Sequence, residues 1–381
     1  MSSLSTTEPP ARLARPEPAA VATDAAVLVA HAPLPAPQAV TPVRDDVDEA
    51  PVAGLRTLFG WATVGLLLIT AVVAALAWWA GPDAIRDAVA RMSTGWVGVA
   101  IIAELVALAC LTQVQVATFR VTSGHLPRLD AAVVALGSFS LSQLLPAGGA
   151  AGGVFAARRL ARHTDGVTAT ASAALAAACS LVMLGTVVTV GGLLSASVGS
   201  GDMTVAVVTG AASLALVAVV AVVALLLADP SRRLRVVAWV ADRTGRGPAA
   251  RKDWLEALER QVAVLRRPGR LAPGLGWAAL AWTLDVAVLV AIVQAVGLPV
   301  SIAGTIAAYG VANLANAVPL TPGGIGLVEA GLAGTFVALG ADPGAAAATA
   351  LGYRLVGDML PVVATLPVLV ADRHLAGPRR A

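Results

Sequence analysis

Val318-Pro-Leu-Thr-Pro-Gly-Gly-Ile-Gly-Leu-Val-Glu-Ala330 is the stretch whose reading decides the fold. It separates two apolar runs, 302–318 and 327–339. Two prolines and three glycines within 319–326 cannot continue a helix. Proline lacks the N–H donor and clashes with the preceding turn, and glycine carries a large entropic cost. Inside a membrane such a break releases backbone N–H and C=O groups that lipid cannot satisfy. They persist only when buried in protein or lining a watery cavity. Broken helices of this kind build polar binding sites in transporters. Glu329 follows on the first turn of the second half, and an acidic residue at membrane depth is a functional candidate by default.

The rest of the chain fits a membrane setting. Of 381 residues, 57% are hydrophobic and 13% charged, and the mean hydropathy is +0.81. This composition marks a polytopic membrane protein. Cys110 and Cys179 fall in apolar runs and read as packing residues. His31, His125, His163 and His374 have no metal-ligand spacing. Lys252, the single lysine, has no Gly before it at the right spacing, which excludes a Walker A site. No Ser/His/acid set lies within reach of one another, so neither catalytic chemistry nor a cofactor is expected. Residues 1–53, rich in Pro, Ala and acidic residues, read as a disordered cytoplasmic tail. A transmembrane domain is expected over 54–372 and a cytoplasmic tail over 373–381.

Six apolar runs are long enough to cross a hydrocarbon core of roughly 30 Å: 58–80, 96–119, 168–195, 203–228, 275–296 and 345–370. Two regions, 131–160 and 302–339, are broken at their centres by Pro and Gly. Each half is about 15 residues, or ~22 Å, so each region reads as a re-entrant hairpin; two thin, tilted spans joined by a turn are the alternative. The fold class expected is an all-α polytopic membrane protein with about six full spans and two broken re-entrant hairpins.

Arginine placement orients the chain. Loop 229–273 carries eleven Lys/Arg against five Asp/Glu. Arg120 and Arg128, Arg158, Arg159 and Arg162, and the C-terminal Arg373, Arg379 and Arg380 mark further basic segments. Loops 196–202 and 297–300 have none. The positive-inside rule places the basic segments and both termini in the cytoplasm, and loop 81–94 outside. The segments around 96–195 and 275–370 then run in opposite senses through the membrane, an inverted repeat. Their breaks correspond loosely, Gln143-Leu-Leu-Pro-Ala-Gly-Gly149 against Asn316-Ala-Val-Pro-Leu-Thr-Pro-Gly-Gly324. In the basic loop, Trp254, Leu258, Val262 and Leu265 recur at helical spacing. They suit an amphipathic helix on an anionic leaflet, or an ordinary cytoplasmic connector.

The run 318–330, with Gly352-Tyr-Arg-Leu355 and Pro361 in the last helix and Leu144-Leu-Pro-Ala-Gly-Gly149 in the first half, resembles the lysylphosphatidylglycerol synthase membrane-domain family, often called flippase-like. The resemblance covers roughly 55–372. It implies movement of an aminoacylated phospholipid between leaflets, with a separate soluble domain making that lipid. This sequence carries no such soluble domain, and Ala150, Ala151 and Gly152 stand where an acidic residue often follows the glycines. The identity of the lipid is therefore not implied.

The function expected is an integral inner-membrane lipid transporter or flippase-like translocase. A membrane-embedded enzyme or scaffold acting on lipid-linked substrates with a partner is the alternative. Membrane lipids are the expected partners, a separate lipid-modifying enzyme is a second candidate, and nucleic acid is not expected. The substrate-binding candidates begin with Glu329, Arg354 and Asp358, the charges of the second repeat. Arg354 and Asp358 share one helix face four residues apart, and Glu329 is expected to reach Arg354 across the hairpin. A structural ion pair fixing the hairpin would look the same. Asn313, Asn316 and Gln143 flank the breaks as hydrogen-bonding groups, and Pro146, Gly148, Gly149, Pro322, Gly323, Gly324 and Gly326 form them. Half-helix N-termini at Gly149 and Gly324 would aim positive dipole ends at a phosphate. The glycine pairs 148/149, 152/153 and 331/334 read as close-packing residues. Glu104 and Asp285 lie inside spans; they are candidates for coupling transport to protons, or they simply face a polar cavity, which is the preferred reading.

Overall fold

The computed structural model describes residues 70–145, 148–197, 268–316 and 321–365, with isolated positions at 67, within 203–259 and at 367–368. Residues 51–381 form one compact unit. Every regular element among the described residues is helical. The expected tail 1–53, the span 203–228 and the helix in loop 229–273 lie wholly or largely outside the described residues.

The elements are α1 (Thr70–Ala80), α2 (Pro82–Ala90), α3 (Thr94–Thr122), α4 (Arg128–Leu144), α5 (Gly148–Leu160) and α6 (Gly166–Ser197). After the basic loop come α7 (Pro268–Val296), α8 (Ile302–Asn316), a 3₁₀ turn (Pro322–Gly324), α9 (Leu327–Ala338) and α10 (Pro343–Tyr353). Helix α10 runs on through a π turn, Arg354–Met359. Three of these helices, Thr94–Thr122, Gly166–Gly191 and Gly269–Val296, are long and apolar enough to cross a membrane. Large apolar side chains such as Ile102, Leu105, Leu181 and Leu280 remain exposed on them, as lipid-facing positions do.

Two departures from the sequence reading concern boundaries. The segment expected as outside loop 81–94 is mostly helix α2, with Pro82 and Asp83 in the first turn, where both are favoured. It packs on α10, and a Cβ on Gly344 would sit 2.6 Å from Ala84 Cβ. Helix α7 begins at Pro268, seven residues before the apolar run at 275, and holds Pro273 near its start. As the sixth residue it lies past the first turn and leaves the Gly269 carbonyl without its i+4 donor.

Helices α3 and α7 lie antiparallel along one another. The Ser93 N–H donates to Ala295 O at 2.8 Å at one end. At the other, a Cβ on Gly274 would lie 3.3 Å from Thr118 Cγ2. Both broken regions are hairpins. In α4/α5, a Cβ on Gly152 would meet Ser138 O at 2.5 Å, and Arg159 reaches Asp130 at 2.6 Å near the base. In α8/α9, Gly331 faces Val311 and Gly304 faces Leu339. The first hairpin follows the C-terminal end of α3; the second follows the C-terminal end of α7. Because α3 and α7 are antiparallel, the two hairpins are based at opposite ends of the helix pair. Of the glycines expected to pack closely, Gly152 and Gly331 do so, whereas Gly149, Gly153 and Gly334 face open space.

The breaks have local causes. Leu145, which precedes Pro146, is extended at φ −111°, ψ 144°. Thr321, which precedes Pro322, is extended at φ −130°, ψ 153°. A proline disfavours helical geometry in the residue before it: α4 yields at Leu145, and the extended Thr321 opens the 3₁₀ turn, α8 having ended at Asn316. The π turn has a similar cause: Pro361 removes the N–H owed to Gly357, and widening the preceding turn relieves the clash.

Candidate functional site

The tips of the two hairpins meet. Gly323 sits against Gln143, so close that an added Cβ would lie 2.7 Å from Gln143 O. Gly323 also has φ +54°, a region side-chain-bearing residues rarely adopt. Both constraints demand glycine. Gly324 (φ +64°) likewise abuts Asn316, whose Oδ1 would be 2.7 Å from an added Cβ.

Arg354, at the start of the π turn, is the hub of this junction. Its Nε donates to Glu329 Oε1 at 2.5 Å and its Nη1 to Asp358 Oδ2 at 2.7 Å. Nη1 and Nη2 both donate to Gly323 O at 3.0 Å. The carbonyl released by the broken helix is thus satisfied by a guanidinium. Glu329 Oε2 turns back to accept the Gly326 N–H at 2.8 Å. Asp358 accepts a further hydrogen bond from Gln143 Nε2, which crosses from the first hairpin. Side chains of Arg354 and Glu329 are 5% and 2% exposed, that of Asp358 14%. The set joins the break of the first hairpin, the break of the second, and α10 in one buried network. The expected pairs Glu329–Arg354 and Arg354–Asp358 are both present.

Other candidates are placed differently. Helix α9 starts at Leu327 with Gly326 as its cap, not at Gly324, and its first turn is already occupied by the Glu329 carboxylate. A free dipole end aimed at a phosphate is therefore not found there. Helix α5 starts at Gly148, and Gly149 is exposed. Pro146 lies outside the described residues. Pro322, Gly323 and Gly324 are buried in the 3₁₀ turn. Asn313 Nδ2 is engaged within its own helix, donating to Tyr309 O at 3.0 Å; Asn316 is exposed.

A second polar group lies on α7, α8 and α10. Tyr309 Oη donates to Asp285 Oδ2 at 2.7 Å, and Tyr353 Oη lies 3.1 Å from Oδ1 and 3.2 Å from Oδ2. The two rings meet edge to face, with centroids 6.4 Å apart. Glu104 on α3 is 4% exposed, and its Oε2 has no hydrogen-bond partner. The tyrosines did not figure among the expected site residues. Their signal was compositional: they are the only two in the chain, both inside apolar helices, where a hydroxyl requires a partner.

The transmembrane region of lysylphosphatidylglycerol synthase, as a family, matches residues 63–364, which take in both hairpins, the Arg354 network and the Asp285 group. The chain belongs to that family. A search of curated proteins finds no match. Membership makes this a membrane protein related to the modification or translocation of lipid headgroups.

Proposed function

We propose that this member of the family is a lipid translocase, moving a phospholipid or lipid-linked headgroup between leaflets of the inner membrane. One observation carries the reading: two hairpins based at opposite ends of α3/α7 touch at their tips, Gly323 against Gln143, and are tied there through Arg354 and Asp358. On this reading 96–195 and 275–370 are inverted repeats, the hairpins are re-entrant, and both termini are cytoplasmic. The Arg354 junction is then a closed latch at mid-membrane. It seals the path while Glu329 and Asp358 occupy the guanidinium. An incoming phosphate competes for Arg354, releasing Asp358 and Gln143 and parting the tips. Such an arrangement suits alternating access around a fixed central site. Glu104, whose buried Oε2 has no hydrogen-bond partner, and Asp285 serve as the proton-coupling carboxylates.

The test is leaflet exchange of headgroup-labelled phospholipids in proteoliposomes containing only this protein. Accelerated exchange, lost in Arg354→Gln, is the expected result. No exchange of any headgroup, combined with chemical consumption of a lipid, would favour the membrane-embedded enzyme instead.

A further inference from the structure

A cavity of about 320 Å³ lies between the C-terminal end of α3 and the N-terminal end of α7, well away from the hairpin tips. Gln113, Arg120, Arg270 and Trp277 line it, with Val116 and Pro273 completing an apolar wall. No carboxylate lines it. Arg120 and Arg270 are exposed, and no described carboxylate forms an ion pair with either. This contrasts with Arg159 and Arg354, each held by an acidic partner. Two arginines on antiparallel helices lining one cavity, with the Gln113 amide in the same lining, form a site for an anion with several oxygens. Arginine suits phosphate because its planar fork offers paired donors.

The apolar half of the lining decides which anion. Trp277 is 40% exposed, and tryptophan at a membrane boundary sits at headgroup level. Arg120 lies in the last turn of α3, and Arg270 is the third residue of α7. Both are at the end of the helix pair that the charge bias assigns to the cytoplasm. A basic pocket between helices at that depth meets phospholipid headgroups, and its apolar wall continues toward their acyl chains.

We propose that this cavity binds the phosphate of an anionic phospholipid in the cytoplasmic leaflet, with Arg120 and Arg270 as its ligands and Trp277 packing beside the glycerol. The site requires no transport, so it stands or falls separately from the translocase reading.

Native mass spectrometry of the full chain in a neutral detergent, titrated with phosphatidylglycerol, tests this. The double variant Arg120→Gln with Arg270→Gln should bind phosphatidylglycerol ~30-fold more weakly, from the usual contribution of a surface arginine near an anionic lipid, taken twice. The control Arg86→Gln with Arg91→Gln, which removes the same charge elsewhere, should bind as the parent does. Inorganic phosphate at millimolar concentration should fail to displace the lipid. Unchanged lipid binding in the Arg120/Arg270 variant overturns the assignment. So does an equal loss in the Arg86/Arg91 control, which would mean general charge attraction. Full displacement by inorganic phosphate would mark a free-anion site and equally overturn it.

Discussion

Removing Arg354 should damage the protein more than removing Glu329, although the two form one ion pair. Arg354→Gln strands two carboxylates, Glu329 and Asp358, and leaves Gly323 O without its donors. Losing one partner of a buried pair costs about 3–5 kcal/mol, most of it from the stranded charge, and here two charges are stranded. Glu329→Gln strands none, because Arg354 keeps Asp358 at 2.7 Å and the Gly323 carbonyl. Its cost is closer to that of one charge-assisted hydrogen bond, about 1.5–3 kcal/mol. The single amide oxygen of Gln can then serve either Arg354 or the Gly326 N–H, not both. A Glu329→Gln, Arg354→Gln double variant still holds a lone buried carboxylate at Asp358, so folding should recover fully only when Asp358→Asn is added. Thermal unfolding of detergent-purified variants, followed by loss of the monodisperse peak, gives the ranking. The expected order of stability is parent, Glu329→Gln, then Arg354→Gln, with the triple variant above Arg354→Gln. Arg354→Gln as stable as Glu329→Gln would refute the account of Arg354 as hub. Transport then separates latch from staple: a stable triple variant that moved lipid at the parent rate would make the network purely structural.

Gly323→Ala should abolish assembly of the junction, since the new methyl would meet Gln143 O at 2.7 Å at a positive φ; expression and melting temperature should fall sharply, whereas Gly334→Ala, with nothing within 4 Å, should be neutral. Asp285→Asn, and to a lesser degree Tyr353→Phe, should remove the dependence of lipid exchange on an imposed pH gradient while sparing melting temperature by comparison with Arg354→Gln. An undiminished gradient response in Asp285→Asn would discard the coupling role of that carboxylate. Single cysteines introduced on a Cys110/Cys179-free background should be reached by impermeant reagent from outside at 340–344 and only after permeabilisation at 120–130. The reverse pattern would invert the topology.

Apolar run length and breaker residues revealed much of this molecule in advance. The three long helices follow from uninterrupted apolar stretches, because backbone groups in lipid must be satisfied within the helix. The first break follows from proline acting on the residue before it, at Leu145, and the second from the proline- and glycine-rich run 319–326, in which Thr321 before Pro322 is extended. Glu329, Arg354 and Asp358 stood out because charge is costly at membrane depth, and the i,i+4 pair was local enough to see. What the sequence could not determine is which long-range neighbours complete each group. Gln143 and Asp358 are 215 positions apart, and only the packing of the first hairpin's tip against the π turn after α10 brings them together. Asp285 acquires its hydroxyls from Tyr309 and Tyr353, 24 and 68 positions away. The arginines around the cavity near Trp277 are 150 positions apart and converge only because α3 and α7 are antiparallel. Local backbone chemistry sets where helices start and break. Which freed carbonyl meets which guanidinium is a property of tertiary contact, and it decides whether a buried charge is a liability or a hinge.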